Sequence, residues 1–206
     1  QSGVVRDMFQ NHLLQLLALV TKEPPSTLDA DALRNEKSKV FAAIPPINLK
    51  DTVRAQYEGY CGIEGVAPNS QTPTYAALKL YINNWRWEGV PFYLRSGKAL
   101  AAKTSEINVV FRRPPLSMFE NGKDDSFTSN VLTIRIQPDE GAALKFEAKM
   151  PDSNLTRSVI MDFDYATSFG ECLIPDAYER LLHDALNGAA TLCTRSDNIE
   201  LAWKII

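Results

Sequence analysis

Apolar residues crowd the first helix-length stretch of the chain and later spread out at a different period. From Val4 to Lys22 they recur at helical spacing, and between Leu13 and Val20 only Gln15 interrupts them. This predicts a helix that is apolar nearly all round from Leu13 to Val20 and buried on most sides. Pro24-Pro25 cannot continue it. Leu33, Val40 and Phe41 among charges predict a second, amphipathic helix over Asp29–Ala43, ending at Pro45-Pro46. From Asp51 the period changes to two. Strands are predicted over Thr52–Tyr57, Tyr75–Ile82, Pro91–Arg95, Ser105–Phe111, Asn130–Gln137, Ala142–Met150 and Arg157–Phe163.

Asn130–Gln137 alternates cleanly, with Leu132, Ile134 and Ile136 on one face and Val131, Thr133, Arg135 and Gln137 on the other. Pro138-Asp139-Glu140-Gly141 is a turn by composition. Beyond it Ala142, Leu144, Phe146 and Ala148 alternate with Lys145, Glu147 and Lys149, so an antiparallel hairpin is expected. After Phe169 helical spacing returns. Asp176 and Glu179 have capping-box spacing, and Gly188 stands where that helix should stop. Ser196 or Asp197 is placed to cap a last helix through Trp203. Pro114–Asp125 reads as a mobile loop. Helices, then a long run of strands, then helices predict an α+β fold: a large, mostly antiparallel sheet with helices packed on one face.

Composition narrows the class. A chain of 206 residues, 45% hydrophobic and with three tryptophans, is long enough for one domain with a good core, or two small ones. No apolar run approaches the ~18 residues of a membrane span, and no basic stretch leads into a signal-like core. Cys61, Cys172 and Cys193 are odd in number and lack metal-type spacing, so free thiols in a reducing, cytoplasmic setting are expected, with no metal. A net charge of −3 gives no bulk attraction to nucleic acid. The chain begins at Gln1, directly before a helix, as expected of a fragment of something longer.

The chain has two histidines. His12 sits against the apolar run, and an imidazole is the natural general base near neutral pH. A lone histidine on an apolar helix is more commonly a hydrogen-bonded structural group. Asp7, five residues earlier, lies about 140° away on an ideal α-helix, so spacing alone gives no dyad. His183 reads as structural or exposed. In YLRSGKALAAK, Tyr93 to Lys103, Gly97 permits a close approach, and Lys98 and Lys103 offer ammonium donors to sugar hydroxyls or a phosphate. Solvated lysines at a strand end are the plainer alternative. Arg135, Gln137 and Lys145 share the hairpin's polar face and suit an anion, although that face equally suits water. There is no GxGxxG, P-loop, GxSxG or zinc spacing.

The words RDMFQNHLLQLLALV, RNEKSKVF, WEGVPFYLRSGKAL, TIRIQPDEG, PDAYERLLHDALNG and RSDNIELAW, in this order, resemble the C-terminal domain of the glucose-6-phosphate dehydrogenase family over essentially all 206 residues. The resemblance implies one substrate-binding and dimerisation domain over 1–206, behind an N-terminal Rossmann domain that this chain lacks. It also implies oxidation of glucose 6-phosphate at C1 to 6-phosphogluconolactone, with hydride transfer to NADP, in the oxidative pentose phosphate pathway. His12 matches the general base and Asp7 the aspartate near the sugar. Lys98 and Lys103 match basic positions that contact substrate, and Gln137 matches a glutamine that reaches sugar hydroxyls.

The family's glycine-rich coenzyme motif and DHYLGKE-type motif are not in the chain, so NADP is expected to be held mainly by the N-terminal domain and the fragment alone to be inactive. Arg95, Arg135, Lys145 and Arg195 resemble parts of a second, structural NADP site found in some relatives. Thr104, Asn108 and Ala143 stand where those relatives have basic or aromatic residues, so that site is not expected here. Family members dimerise through the large sheet, and the apolar strand residues, with Trp85 and Trp87 nearby, are consistent with that; a homodimer through this sheet, or a higher oligomer built on it, is the assembly the resemblance implies. No nucleic-acid or membrane partner is expected. The alternative is a non-catalytic interaction or scaffold module of the same fold, which has no use for His12, Asp7, Lys98, Lys103 and Gln137 together.

Overall fold

The first helix is wound two ways. In the computed structural model, which describes residues 3–114, 128–170 and 177–206, a π-helix spans Val5–Leu13 and an α-helix, α1, spans Leu14–Thr21. The Leu14 N–H donates to the carbonyl of Phe9, five residues back. Burial follows the same interval. Val4, Phe9 and Leu14 are buried, whereas Arg6, Asp7, Asn11 and His12 are exposed. The predicted helix is therefore present, but its first half is not α-helical. Nor is its second half covered on every side, since Leu19 is 50% exposed while Leu14, Leu17 and Ala18 are buried.

The chain divides into two compact units, Gln1–Leu100 with Pro175–Ile206, and Ala101–Ile174. In the first, the Asp29 carboxylate caps α2 (Ala30–Ala42) by accepting from the N–H groups of Asp31 and Ala32. Strands β1 (Thr52–Ala55), β2 (Tyr75–Leu80) and β3 (Phe92–Gly97) form an antiparallel sheet in that order. Alternation along β2 buries Ala76, Leu78 and Leu80, and these join Phe9, Leu14, Phe41, Ile82 and Leu94 in one core beneath the helices. β3 runs two residues further than predicted because Ser96 and Gly97 still pair with Ala76 and Tyr75.

In the second unit β4 (Ser105–Val110), β5 (Val131–Gln137), β6 (Gly141–Lys149) and β7 (Thr156–Asp164) form a four-stranded antiparallel sheet in sequence order. The short helix α3 (Tyr165–Phe169) follows β7. The predicted hairpin is β5–β6, with Leu132 opposite Leu144. The antiparallel α+β class is borne out, and the strands are shared between two sheets. The predicted loop at Pro114–Asp125 and the Asp176 cap lie outside the described residues, apart from Pro114.

Back in the first unit, α4 (Ala177–Leu186) is followed by Gly188 at φ 67°, the left-handed stop expected after a helix. Its His183 is exposed, with its ring beside the Asn187 amide. The last helix, α5 (Ser196–Ile205), has Arg195 rather than Ser196 or Asp197 at its cap position. Asp197 is engaged elsewhere. Its carboxylate accepts from Arg195 Nε and Nη2, both at 2.8 Å, and from the Ser38 hydroxyl of α2 at 2.8 Å. Arg195 also reaches Asn35 Oδ1, and Asn198 donates to Ser38 Oγ, so the two helices are clasped through one polar cluster.

The Arg195 guanidinium, foremost, holds the Asp197 carboxyl well below the usual carboxylate range. A carboxyl that ionises more easily when folded stabilises the fold above its unfolded pKa of ~3.9 and loses that contribution as pH falls further. Asp197→Asn should therefore lower the melting temperature at pH 7, with the gap to wild type closing below about pH 4. A gap that stays constant on acidification would contradict this assignment.

Candidate active site

The π winding decides which residues share a face. Where hydrogen bonds close on the fifth residue, a side chain stacks over the one five positions on, the relation that i and i+4 hold in an α-helix. Asp7 and His12 are five apart and both exposed. The separation of about 140° expected of an α-helix is thus corrected, and carboxylate and imidazole stand on one outward side. Phe9 and Leu14, fully buried, anchor the opposite side, while Val5, Met8 and Leu13 pack against the core.

The start of this helix and the end of β3 are tied to the same short segment. Val4 N–H donates to the Pro73 carbonyl at 3.2 Å, and Lys98 N–H donates to the Thr74 carbonyl at 2.9 Å. Consecutive carbonyls thus fix the helix that carries Asp7 and His12 and the backbone that carries Lys98. Gly97 is required at this junction, because a Cβ there would lie 2.6 Å from Tyr75 Cδ2. β3 also packs directly against the π-helix. Asp7, His12 and Lys98 therefore belong to one rigid assembly within the first unit.

Lys103 and Gln137 come together in the second. Lys103 lies two residues before β4, Ser105 of β4 pairs with Gln137, and the Thr104 hydroxyl donates to the Gln137 carbonyl at 3.3 Å. Both side chains are exposed. Such a lysine and amide at one sheet end can serve a polyol or a phosphate.

A profile of the family described as "Glucose-6-phosphate dehydrogenase, C-terminal domain" matches residues 1–206. The chain belongs to this family. Among curated relatives it is 46% identical over 219 residues to the glucose-6-phosphate 1-dehydrogenase of Chlamydia pneumoniae, covering 100% of this chain and 43% of that protein. The Dictyostelium discoideum protein of the same name is 43% identical over 214 residues, covering 100% of this chain and 42% of that one. Among solved structures, the glucose-6-phosphate 1-dehydrogenase of Mycobacterium avium matches at a TM-score of 0.87 and 42% identity, over 99% of this chain and 43% of that one. A glucose-6-phosphate dehydrogenase in complex with glucose-6-phosphate matches at 0.90 and 39%, again over 99% and 43%. The chain spans less than half the length of these proteins.

The cations that resemble a structural NADP site in this family are partly committed to internal partners. Arg135 Nη1 pairs with Asp162 at 2.6 Å, and its Nη2 donates to the Phe163 carbonyl at 3.0 Å. Arg195 is held by Asp197 and Asn35. Arg95 is exposed on β3, and Lys145 is partly exposed on the polar face of β6. A groove along the start of α2, lined by Asp29, Asp31, Glu36 and Lys39 among others, has none of the candidate residues in its lining.

Sequence reasoning named Asp7 and His12 as candidates but not the winding that sets them on one side. The signal was the five-residue interval between Val4, Phe9 and Leu14, which a search for α-helical spacing passes over.

Proposed function

We propose that the chain is the substrate-binding and dimerisation part of a cytoplasmic enzyme that oxidises glucose 6-phosphate at C1 to 6-phosphogluconolactone, with NADP as hydride acceptor, in the oxidative pentose phosphate pathway. Residues 1–206 act as one C-terminal domain, and an N-terminal Rossmann domain outside this chain binds the coenzyme. The observation that carries this reading is the π winding that sets Asp7 and His12, both exposed, on one side of a firmly anchored helix. It is supported by the family membership and by the likeness to a glucose-6-phosphate complex.

The chemistry fits a base held on a stiff mount. Departure of hydride from C1 leaves a protonated carbonyl unless the C1 hydroxyl loses its proton as the bond breaks. His12 accepts that proton, and Asp7 accepts a hydrogen bond from a sugar hydroxyl. Lys98 and Lys103 supply ammonium donors to the sugar and its phosphate, and Gln137 takes further hydroxyls. NADP, when bound, supplies the acceptor for the hydride. The residues of this chain do not make a dinucleotide site of the usual kind, having no glycine-rich turn between strand and helix. The purified 206-residue chain should therefore give no NADP reduction with glucose 6-phosphate, while the complete enzyme turns over. Clear turnover by the fragment would contradict the assignment.

Dimerisation is supported by the four-stranded sheet. Leu132, Ile134, Leu144, Phe146, Met161 and Phe163 share one face by register, and among the described residues none of them is buried. Trp87, by contrast, is engaged inside the first unit, donating to the Thr21 carbonyl at 2.9 Å and meeting Phe92 edge-on. Met161→Glu should shift the sedimentation of the complete enzyme from dimer towards monomer. An unchanged dimer at submicromolar concentration would place the interface elsewhere.

A further inference from the structure

The outward side of the π-helix carries more than a base and a carboxylate. Asn11 stacks over Arg6 by the same five-residue relation that sets His12 over Asp7, and all four side chains are exposed. On an α-helix Asn11 would stack on Asp7 and leave His12 well round the cylinder. The wider winding instead puts two columns side by side, so that Asn11, Asp7 and His12 form one compact patch.

Beside Asp7 and His12, Arg6 and the Lys98 of the same unit can only donate, so Asn11 alone brings a donor and an acceptor together. An ionised carboxylate only accepts hydrogen bonds, and the imidazole is reserved for the C1 proton. A sugar hydroxyl both donates and accepts, as does an amide, which carries two N–H donors and one carbonyl. Asparagine is a poor helix former in mid-helix, and no side-chain cap is made at either end of this one. Local structure therefore gives no reason for an asparagine here.

We propose that Asn11 binds a sugar hydroxyl of glucose 6-phosphate, next to the hydroxyl that His12 deprotonates, and that the π winding makes Asn11, Asp7 and His12 one sugar-facing surface. The inference rests on the proposed function and adds a substrate contact to it. The test is calorimetric binding of glucose 6-phosphate and its 2-, 3- and 4-deoxy analogues to the complete enzyme and to its Asn11→Ala variant. The variant binds glucose 6-phosphate about tenfold more weakly, with NADP affinity unchanged. For one deoxy analogue the two proteins bind equally, because the hydroxyl that Asn11 held is already missing. Equal affinity for glucose 6-phosphate overturns the proposal, as does the same loss with every analogue. Should Asn11→Ala melt early, Asn11→Ser carries the same comparison. Failure of the wild-type complete enzyme to bind glucose 6-phosphate at all would instead sink the proposed function.

Discussion

Replacing His12 by asparagine in the complete enzyme lowers kcat for glucose 6-phosphate oxidation by about 100- to 10,000-fold, the range a positioned general base contributes. Asparagine keeps a polar group of similar reach but accepts no proton at neutral pH. The loss therefore falls on kcat, and KM for the sugar phosphate changes little, because the missing interaction matters only as the C1 hydroxyl ionises. His12 is exposed, so the melting temperature stays with the wild type. A kcat within about threefold of wild type would leave the imidazole without a catalytic role.

Phe9→Ala has the largest expected effect on stability. Phe9 is completely buried on the opposite side of the same helix, packed in the core with Leu14, Phe41 and Ile82. Truncating a buried phenylalanine costs about 3–5 kcal/mol, from lost transfer energy and from the cavity left behind. Against a total stability of about 5–15 kcal/mol that is a large share. Denaturant titration measures it, with Leu28→Ala, 83% exposed, as a control expected within about 0.5 kcal/mol of wild type. The complete Phe9→Ala enzyme should also lose kcat/KM beyond its unfolded fraction, because the void lies under the helix that carries His12, the proposed base. A stability loss below about 1 kcal/mol would mean that the helix is not anchored there.

Much of this was legible in the chain. Period-two alternation located the seven described strands to within a few residues, the second helix starts where expected beside Asp29, and the Gly188 stop is where its chemistry places it. The ends of β2 and β3 were less legible, since pairing across the sheet and not local propensity decides where a strand stops. Asp197 shows the same limit. As a short acidic side chain near a helix start it reads as a cap, yet Arg195 and Ser38 compete for its carboxylate, and Ser38 is remote in sequence. For the site, the words around His12 and Lys98 named the candidates, but the π winding was hidden because helical pattern reading presumes 3.6 residues per turn. Val4, Phe9 and Leu14 carry the wider interval openly once burial is known.

The most direct test is a crystal structure of the complete protein with glucose 6-phosphate bound. An imidazole nitrogen of His12 should lie about 2.6–3.2 Å from the C1 hydroxyl oxygen, with the Asp7 carboxylate on the same sugar ring and the π winding between them intact. A C1 hydroxyl held by another group, with His12 turned to solvent, would contradict the account.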